Sequence, residues 1–187
     1  TARNLVSLGL QTNELRSHQV SFLHKIKASY LFNLNTTLGT NSSASENFAQ
    51  RNYSLETFEL NPKISYLFDD NTRLEAFYSL GTKENSLGAL EYLNKQDFGV
   101  AFSYSNAEKI SFNIEAQYIK NEFEGAAFSP VAYQMLEGLQ PGSNFTWNVI
   151  AQKRLTKFLD LNLSYFGRKS EDSRTIHTGT VQLRALF

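Results

Sequence analysis

Apolar and polar side chains alternate along this chain with a period of two, run after run. Val6, Leu8 and Leu10 alternate with Ser7, Gly9 and Gln11, and Val20 and Phe22 alternate with Gln19 and Ser21. Tyr30, Phe32, Leu34 and Leu38 are set against Asn33, Asn35 and Thr37, and Phe58, Leu60, Ile64, Tyr66 and Phe68 against Glu59, Asn61, Lys63 and Ser65. The pattern returns from Leu74 to Leu80, Phe98 to Tyr104, Ile110 to Tyr118, Phe145 to Ala151 and Leu159 to Tyr165. It ends in Gly179, Val181, Leu183, Ala185 and Phe187, with Thr178, Thr180, Gln182 and Arg184 between them. Successive side chains of a strand point to opposite faces, so each run predicts a strand with one apolar and one polar face. There are about ten such runs, and no heptad pattern competes with them.

The connections are of two kinds. Short ones fall at Ile26 to Ser29, Asp69 to Asn71, Ser105 to Glu108 and Leu155 to Lys157, each a tight polar break. Longer ones fall at Thr12 to Ser17, Gly39 to Arg51, Gly81 to Leu90, Glu124 to Gly142 and Lys169 to Arg174. Short and long alternate strictly, which predicts an all-β, antiparallel, up-and-down arrangement with all the long loops at one end. The segment from His24 to Leu31 is similar to that from Gln152 to Leu159, as two copies of one hairpin design would be.

The longest connection carries a helix signal. Ser129 is placed to cap, Pro130 to open the first turn, and Gly138, Pro141 and Gly142 to stop it. Its apolar members Val131, Tyr133, Met135, Leu136 and Leu139 would be costly to leave in water. The helix therefore folds inward as a constriction, docks on a partner or a neighbouring loop, or packs over the end of the strands; the sequence leaves these open.

The C-terminal run, with apolar residues at alternate positions and Phe187 at the end, resembles the closing strand of bacterial outer-membrane β-barrels. The resemblance implies that Val181, Leu183 and Phe187 form a signal read by the barrel-assembly machinery. It implies one domain over 1–187, an antiparallel up-and-down transmembrane β-barrel of about ten strands or the C-terminal sector of a larger one. It places the chain in the outer membrane of a Gram-negative bacterium, against lipid and lipopolysaccharide, with long loops extracellular and the C-terminus periplasmic. Tyr30, Tyr66, Phe68, Tyr104 and Phe187 then fall near the periplasmic interface and Tyr118, Phe145, Trp147 and Tyr165 toward the outer one, as aromatic girdles do.

In such a barrel Glu59, Lys63, Glu75, Glu115, Arg154, Asp160, Arg168 and Arg184 face the lumen by alternation. They either pair across a narrow barrel and fill it, or line a water channel and set its selectivity. About eight strands leave room only for side chains, and aqueous channels appear near sixteen. A ten-stranded barrel is therefore expected to be a structural or assembly component that presents its loops to partner proteins in an outer-membrane complex. Tyr133, Met135, Leu136 and Leu139 would then be the partner contacts. The alternative is a pore or transport protein for small solutes.

Composition fits this picture without producing it. The chain of 187 residues has 41% hydrophobic residues and a mean hydropathy of -0.36, with no stretch near the ~20 apolar residues that a spanning helix needs. A barrel strand shows lipid only every second residue, so a low mean is expected. No cysteine is present, which excludes a disulfide framework and thiolate metal sites. The 18 basic and 18 acidic side chains leave no net charge, which argues against nucleic acid as a partner. The start shows neither an initiator Met nor a signal peptide, as in a mature product or part of a longer chain.

Metal, phosphate-loop and dinucleotide motifs are absent, so no cofactor is expected. The only cluster suggesting catalysis is Glu171, Asp172, Ser173 and His177. Ser173 and His177 share a face, but on one strand they would stand roughly 13 Å apart, too far for a direct hydrogen bond. His18 and His24 have no carboxylate motif beside them. No enzyme is expected.

Overall fold

Ten strands join in chain order into a single antiparallel sheet, β1 Ala2–Val6, β2 Gly9–Lys27, β3 Tyr30–Ser45, β4 Tyr53–Leu67, β5 Thr72–Asn85, β6 Tyr92–Asn106, β7 Ile110–Glu124, β8 Gly142–Thr156, β9 Leu159–Ser170 and β10 Ile176–Ala185. Among the described residues there is one α-helix, α1 Pro130–Leu136, between β7 and β8. These come from a computed structural model that describes residues 2–6, 9–88, 90–106, 109–126 and 128–185, with side chains from residue 10 onward except residue 50. The all-β up-and-down architecture expected from the alternation is the one that forms. Nine of its strands are long and β1 is short. The sheet is open: among the described residues, neither β1 nor β2 pairs with β10. Phe187 lies outside the described residues.

The strands outrun the apolar alternation at the long-loop end, and this corrects the expected start of the fold. Val6 to Leu10 is not one strand. β1 ends at Val6, β2 begins at Gly9, and the two pair from Val6↔Gly9 to Ala2↔Asn13. Thr12 to Ser17, expected as a loop, continues β2 without a break and pairs with β3 from Thr12↔Ala44 to Ser17↔Gly39. Likewise β3 and β5 run on to Ser45 and Asn85, into segments expected as loops. The ladder is a backbone property, and these segments contain no proline to interrupt it. Where both faces of a sheet are polar, alternation carries no signal and a strand reads as a loop.

The short turns fall where expected. Two of them, Ala28-Ser29 and Lys157-Phe158, follow a register shift in the strand before them, between Lys25 and Lys27 and between Arg154 and Thr156. These are the two similar segments, and both hairpins use a bulge beside a two-residue turn, which strengthens local twist. At another turn, Asp69 Oδ1 accepts from the Asn71 amide at 2.8 Å and Asp69 Oδ2 from the Thr72 hydroxyl at 3.2 Å. These bonds hold the Asp69 carboxyl below its ordinary range.

Register aligns the alternating residues into two faces. On one, Ile64, Ala76, Val100, Ala116 and Trp147 are successive cross-strand neighbours. On the other, Ser65, Glu75, Ala101, Glu115 and Asn148 are. The first face is apolar yet open to its surroundings, with Leu38 55%, Phe98 54% and Val181 73% exposed. Aromatics gather at its two ends. Tyr66 packs at 4.9 Å from Tyr30 and 4.6 Å from Phe68 near the turns, and Phe145 lies 5.5 Å from Trp147 toward the loops. Glycines seat two large rings. Phe77 covers Gly99 on the polar face and Trp147 covers Gly167 on the apolar one, each ring occupying the place of the missing Cβ. The buried core is small and sits on the polar face, where α1 lands.

Candidate functional site

α1 forms as its sequence dictates. The Ser129 hydroxyl accepts from the Ala132 amide at 2.9 Å, Pro130 opens the first turn, and Glu137 in the left-handed conformation followed by Gly138 closes it. Seven residues are too few to hold a helix by propensity alone, so packing must hold it. Val131, Ala132, Met135 and Leu136 are buried against Leu55 of β4 and Leu93 of β6, with Tyr53 and Phe123 at the margin. All four sheet residues lie on the polar face, as register shows by pairing Tyr53 with Ser43, Leu55 with Asn85 and Leu93 with Lys83 and Phe123. The helix is thus folded onto that face and not away from the sheet.

Charge fastens it there. Lys83 Nζ donates to Glu137 Oε1 at 2.5 Å and to the Met135 carbonyl at 3.1 Å, and Lys95 Nζ donates to Glu137 Oε2 at 3.1 Å. Arg168 reaches the Gly138 carbonyl at 2.9 Å. Three cations from β5, β6 and β9 therefore converge on the C-terminal end of the helix, where its carbonyls point and positive charge is favourable. Burial pushes the Glu137 carboxyl up. The hydrogen bond from Lys83 and the charges of Lys95 and Lys83 outweigh it and hold the group below its ordinary value.

Amides tie the flanking loops down. Asn85, almost fully buried, accepts from Ser54 N at 3.0 Å and donates to Glu91 Oε2 at 2.7 Å. Asn144 donates to the Gln140 carbonyl at 2.8 Å, and its Oδ1 accepts from Ser170 Oγ at 2.5 Å. Each anchors a loop through side-chain bonds that substitute for a turn. Nearby on the same face, Asp97 Oδ1 and Asn121 Oδ1 are buried without a hydrogen-bond partner among the described residues.

The eight charged residues expected on the polar face all lie in the rows that register assigns to it, although they do not form one cluster. Lys63 pairs with Glu75 at 3.3 Å, Arg154 with Asp160 at 3.6 Å, and Glu115 accepts from Gln117 at 2.5 Å. Arg168 belongs to the helix site, and Glu59 stands beside Gly81 in register. Arg184, with Lys109, Lys153, Arg154 and Asp160, lines a recess of about 410 Å³ at the turn end. Of the expected loop contacts, Met135 and Leu136 are 0% and 3% exposed and face the sheet, whereas Tyr133 is 72% exposed. Leu139 donates its amide to the Leu136 carbonyl. Any docking on a partner is thus left to Tyr133 and its exposed neighbours. Val181 and Leu183 stand exposed on the apolar face.

Lys83, Lys95 and Glu137 were not legible from the sequence, because the two lysines fall where both faces are polar. Counting in twos from Glu75 to Lys83 and from Gly99 to Lys95 keeps both lysines on the polar face, the one signal that could have found them. At the far edge, Tyr165 and His177 stack at 6.0 Å with the Tyr165 hydroxyl 2.7 Å from His177 Nδ1, while Ser173 Oγ is 3.5 Å from the Ser170 carbonyl. His24 stacks beside Phe22 at 6.2 Å. No model of a known protein family matches the chain, and no curated protein matches it either.

Proposed function

We propose that this chain is the wall of an integral outer-membrane β-barrel of a Gram-negative bacterium that passes small solutes, with α1 folded into the passage as a constriction. The observation that carries this reading is the position of α1 on the polar face, held by Lys83, Lys95 and Arg168. The filled scaffold is what a narrow closed ring of ten strands would favour, whereas in a wider ring the lumen stays open; among the described residues the sheet does not close on itself. Polar residues on that face can then border water.

The membrane part of the proposal rests on the apolar face. On β7 it runs from Ile110 to Tyr118 and gives way to Lys120 and Glu122. At about 3.4 Å per residue and a tilt of about 40°, such a run rises roughly 20–25 Å, the height of a barrel's lipid-facing band. Aromatics at both ends of the band suit the two interfaces. Lipid and lipopolysaccharide would cover this face, the turns would face the periplasm, and the loops with α1 the outside. The barrel-assembly machinery would be a partner during insertion. A scaffold reading keeps one observation in its favour, the exposure of Tyr133 at 72% and of Phe128 at the loop tip.

The test is conductance of the protein extracted from outer membranes and placed in a planar bilayer. Discrete steps that grow when Glu137→Gln loosens α1 support the passage. Silence in the bilayer, with a co-purifying protein lost on Tyr133→Ala, would replace it with the scaffold.

A further inference from the structure

Positive charge collects in one place on a chain that carries none overall. The recess of about 410 Å³ at the turn end is lined by Lys109, Lys153, Arg154 and Arg184, and by a single carboxylate among the described residues, that of Asp160. Four cations thus face one anion there, while the whole chain balances 18 basic against 18 acidic side chains.

Register sets the arrangement. Arg154 of β8 and Arg184 of β10 both stand opposite Asp160 of β9, so the carboxylate lies between two arginines in one cross-strand row on the polar face. It meets Arg154 at 3.6 Å, with both side chains open to water, and such a pair holds its partners weakly. None of the ion pairs among the described residues includes Arg184, Lys109 or Lys153. In the next row of the polar face, Ser111, Gln152 and Asn162 are cross-strand neighbours and line the same recess. Hydroxyl and amide donors therefore stand beside the unpaired cations.

These are the parts of an oxyanion site. A guanidinium presents paired donors that match two oxygens of a phosphate or carboxylate, and a lysine adds a point charge. The volume lies within the range of small-molecule sites, about 300–1,000 Å³. The arginine row is on the polar face, opposite the one that lipid would cover. We propose that the recess binds small solutes bearing a phosphate or carboxylate group, held by Arg184 and Arg154 with Lys109 and Lys153 adding charge, and that such anions are what the passage carries. The inference rests on the passage reading and names its substrate class.

The test uses the protein extracted from outer membranes into a non-ionic detergent and titrated calorimetrically with inorganic pyrophosphate. Saturable binding is expected, weakened about tenfold or more by Arg184→Gln, the loss of one charge-assisted bond, and unchanged by Lys120→Gln at the long-loop end. Asp160→Asn should bind more tightly, because it removes the carboxylate that repels the ligand and occupies Arg154. A gain of that kind cannot come from misfolding. Absence of saturable binding, an equal loss in Lys120→Gln, or weaker binding in Asp160→Asn would overturn the site. Dihexanoyl phosphatidylglycerol, a soluble lipid, bound where pyrophosphate is not would assign the recess to headgroups and overturn it as a solute site. Binding by a protein that is silent in a planar bilayer would keep the site and remove the passage, whereas conductance without binding would remove the site alone.

Discussion

Lys83 holds the C-terminal end of α1 by two hydrogen bonds at once, one to the Glu137 carboxylate and one to the Met135 carbonyl. The lysine side chain is only 11% exposed while the carboxylate is 50% exposed. The cation is therefore nearly withdrawn from water and the anion is half screened by it. The lysine reaches the carbonyl of buried Met135 and fixes Glu137, the residue that follows Met135 and Leu136. Apolar burial and charge thus both hold the same seven-residue helix.

Substituting Glu137→Gln should weaken docking by about 1 kcal/mol, because a half-exposed pair is screened and contributes far less than a buried one. Lys83→Met should cost more than Glu137→Gln, since it also abandons the Met135 carbonyl. Limited proteolysis of residues 125–141 reads this directly. Equal cleavage rates in both variants and the parent would show that packing alone holds the helix.

Acid should release the same helix. The Glu137 carboxyl is held below its ordinary value of 4.5, so its ionised form is favoured by the folded state. That contribution is fully present above the unfolded value and is lost as pH falls through the lowered one. Proteolysis of the loop should therefore be flat from pH 7 to about 5 and rise below about pH 4.5. Glu137→Gln should remove the rise. A rise that persists in that variant would assign it to another carboxylate.

The strands were legible because one apolar face on a strand imposes a period of two, and the strand residues from Tyr30 to Tyr165 that the alternation placed on one face share it in the structure. The cap and stop of α1 were legible as well, since Ser129, Pro130 and Gly138 act through local chemistry. The first hairpin was not. From Gly9 to Ser17 neither face is consistently apolar, so a ladder of backbone bonds leaves no trace in side-chain type. The clamp on α1 was hidden for a related reason: it joins β5, β6 and a loop whose meeting depends on register between segments far apart in the chain.

Met135→Ala should undock α1 without unfolding the sheet. Met135 is fully buried but belongs to a cluster of six residues, so the loss should fall at the low end of the range for such truncations, about 2 kcal/mol. Met135→Leu, nearly equal in volume, should cost less than about 1.5 kcal/mol. Hydrogen exchange would show faster exchange in α1 and unchanged protection in β6 and β7. Loss of protection across the sheet would mean that the helix is part of its foundation.

Gly99 and Phe77 should behave as one unit. A Cβ at Gly99 would fall within the Phe77 ring, so Gly99→Ala should cost about 1–3 kcal/mol through overpacking. In a Phe77→Ala background the ring that the added methyl would strike is gone, and the same substitution should cost clearly less. The double-mutant cycle is read from thermal or denaturant unfolding, and additive costs would show that the ring can swing aside.

The two faces give the sharpest test of what surrounds this sheet. Ile114 is at the middle of the apolar run on β7, and Asn113, its neighbour, is exposed on the polar face. If lipid covers the first face, Ile114→Arg should destabilise the folded protein by about 2–4 kcal/mol, the cost of a cation at the bilayer midplane on the outside of a barrel. Asn113→Arg, one residue away and also exposed, should cost little if water is available on its side. In an aqueous setting the two would be nearly equivalent, since both positions are exposed and an arginine in water costs little at either. Unfolding in lipid vesicles compares them, and equal effects would remove the membrane from the account of this protein.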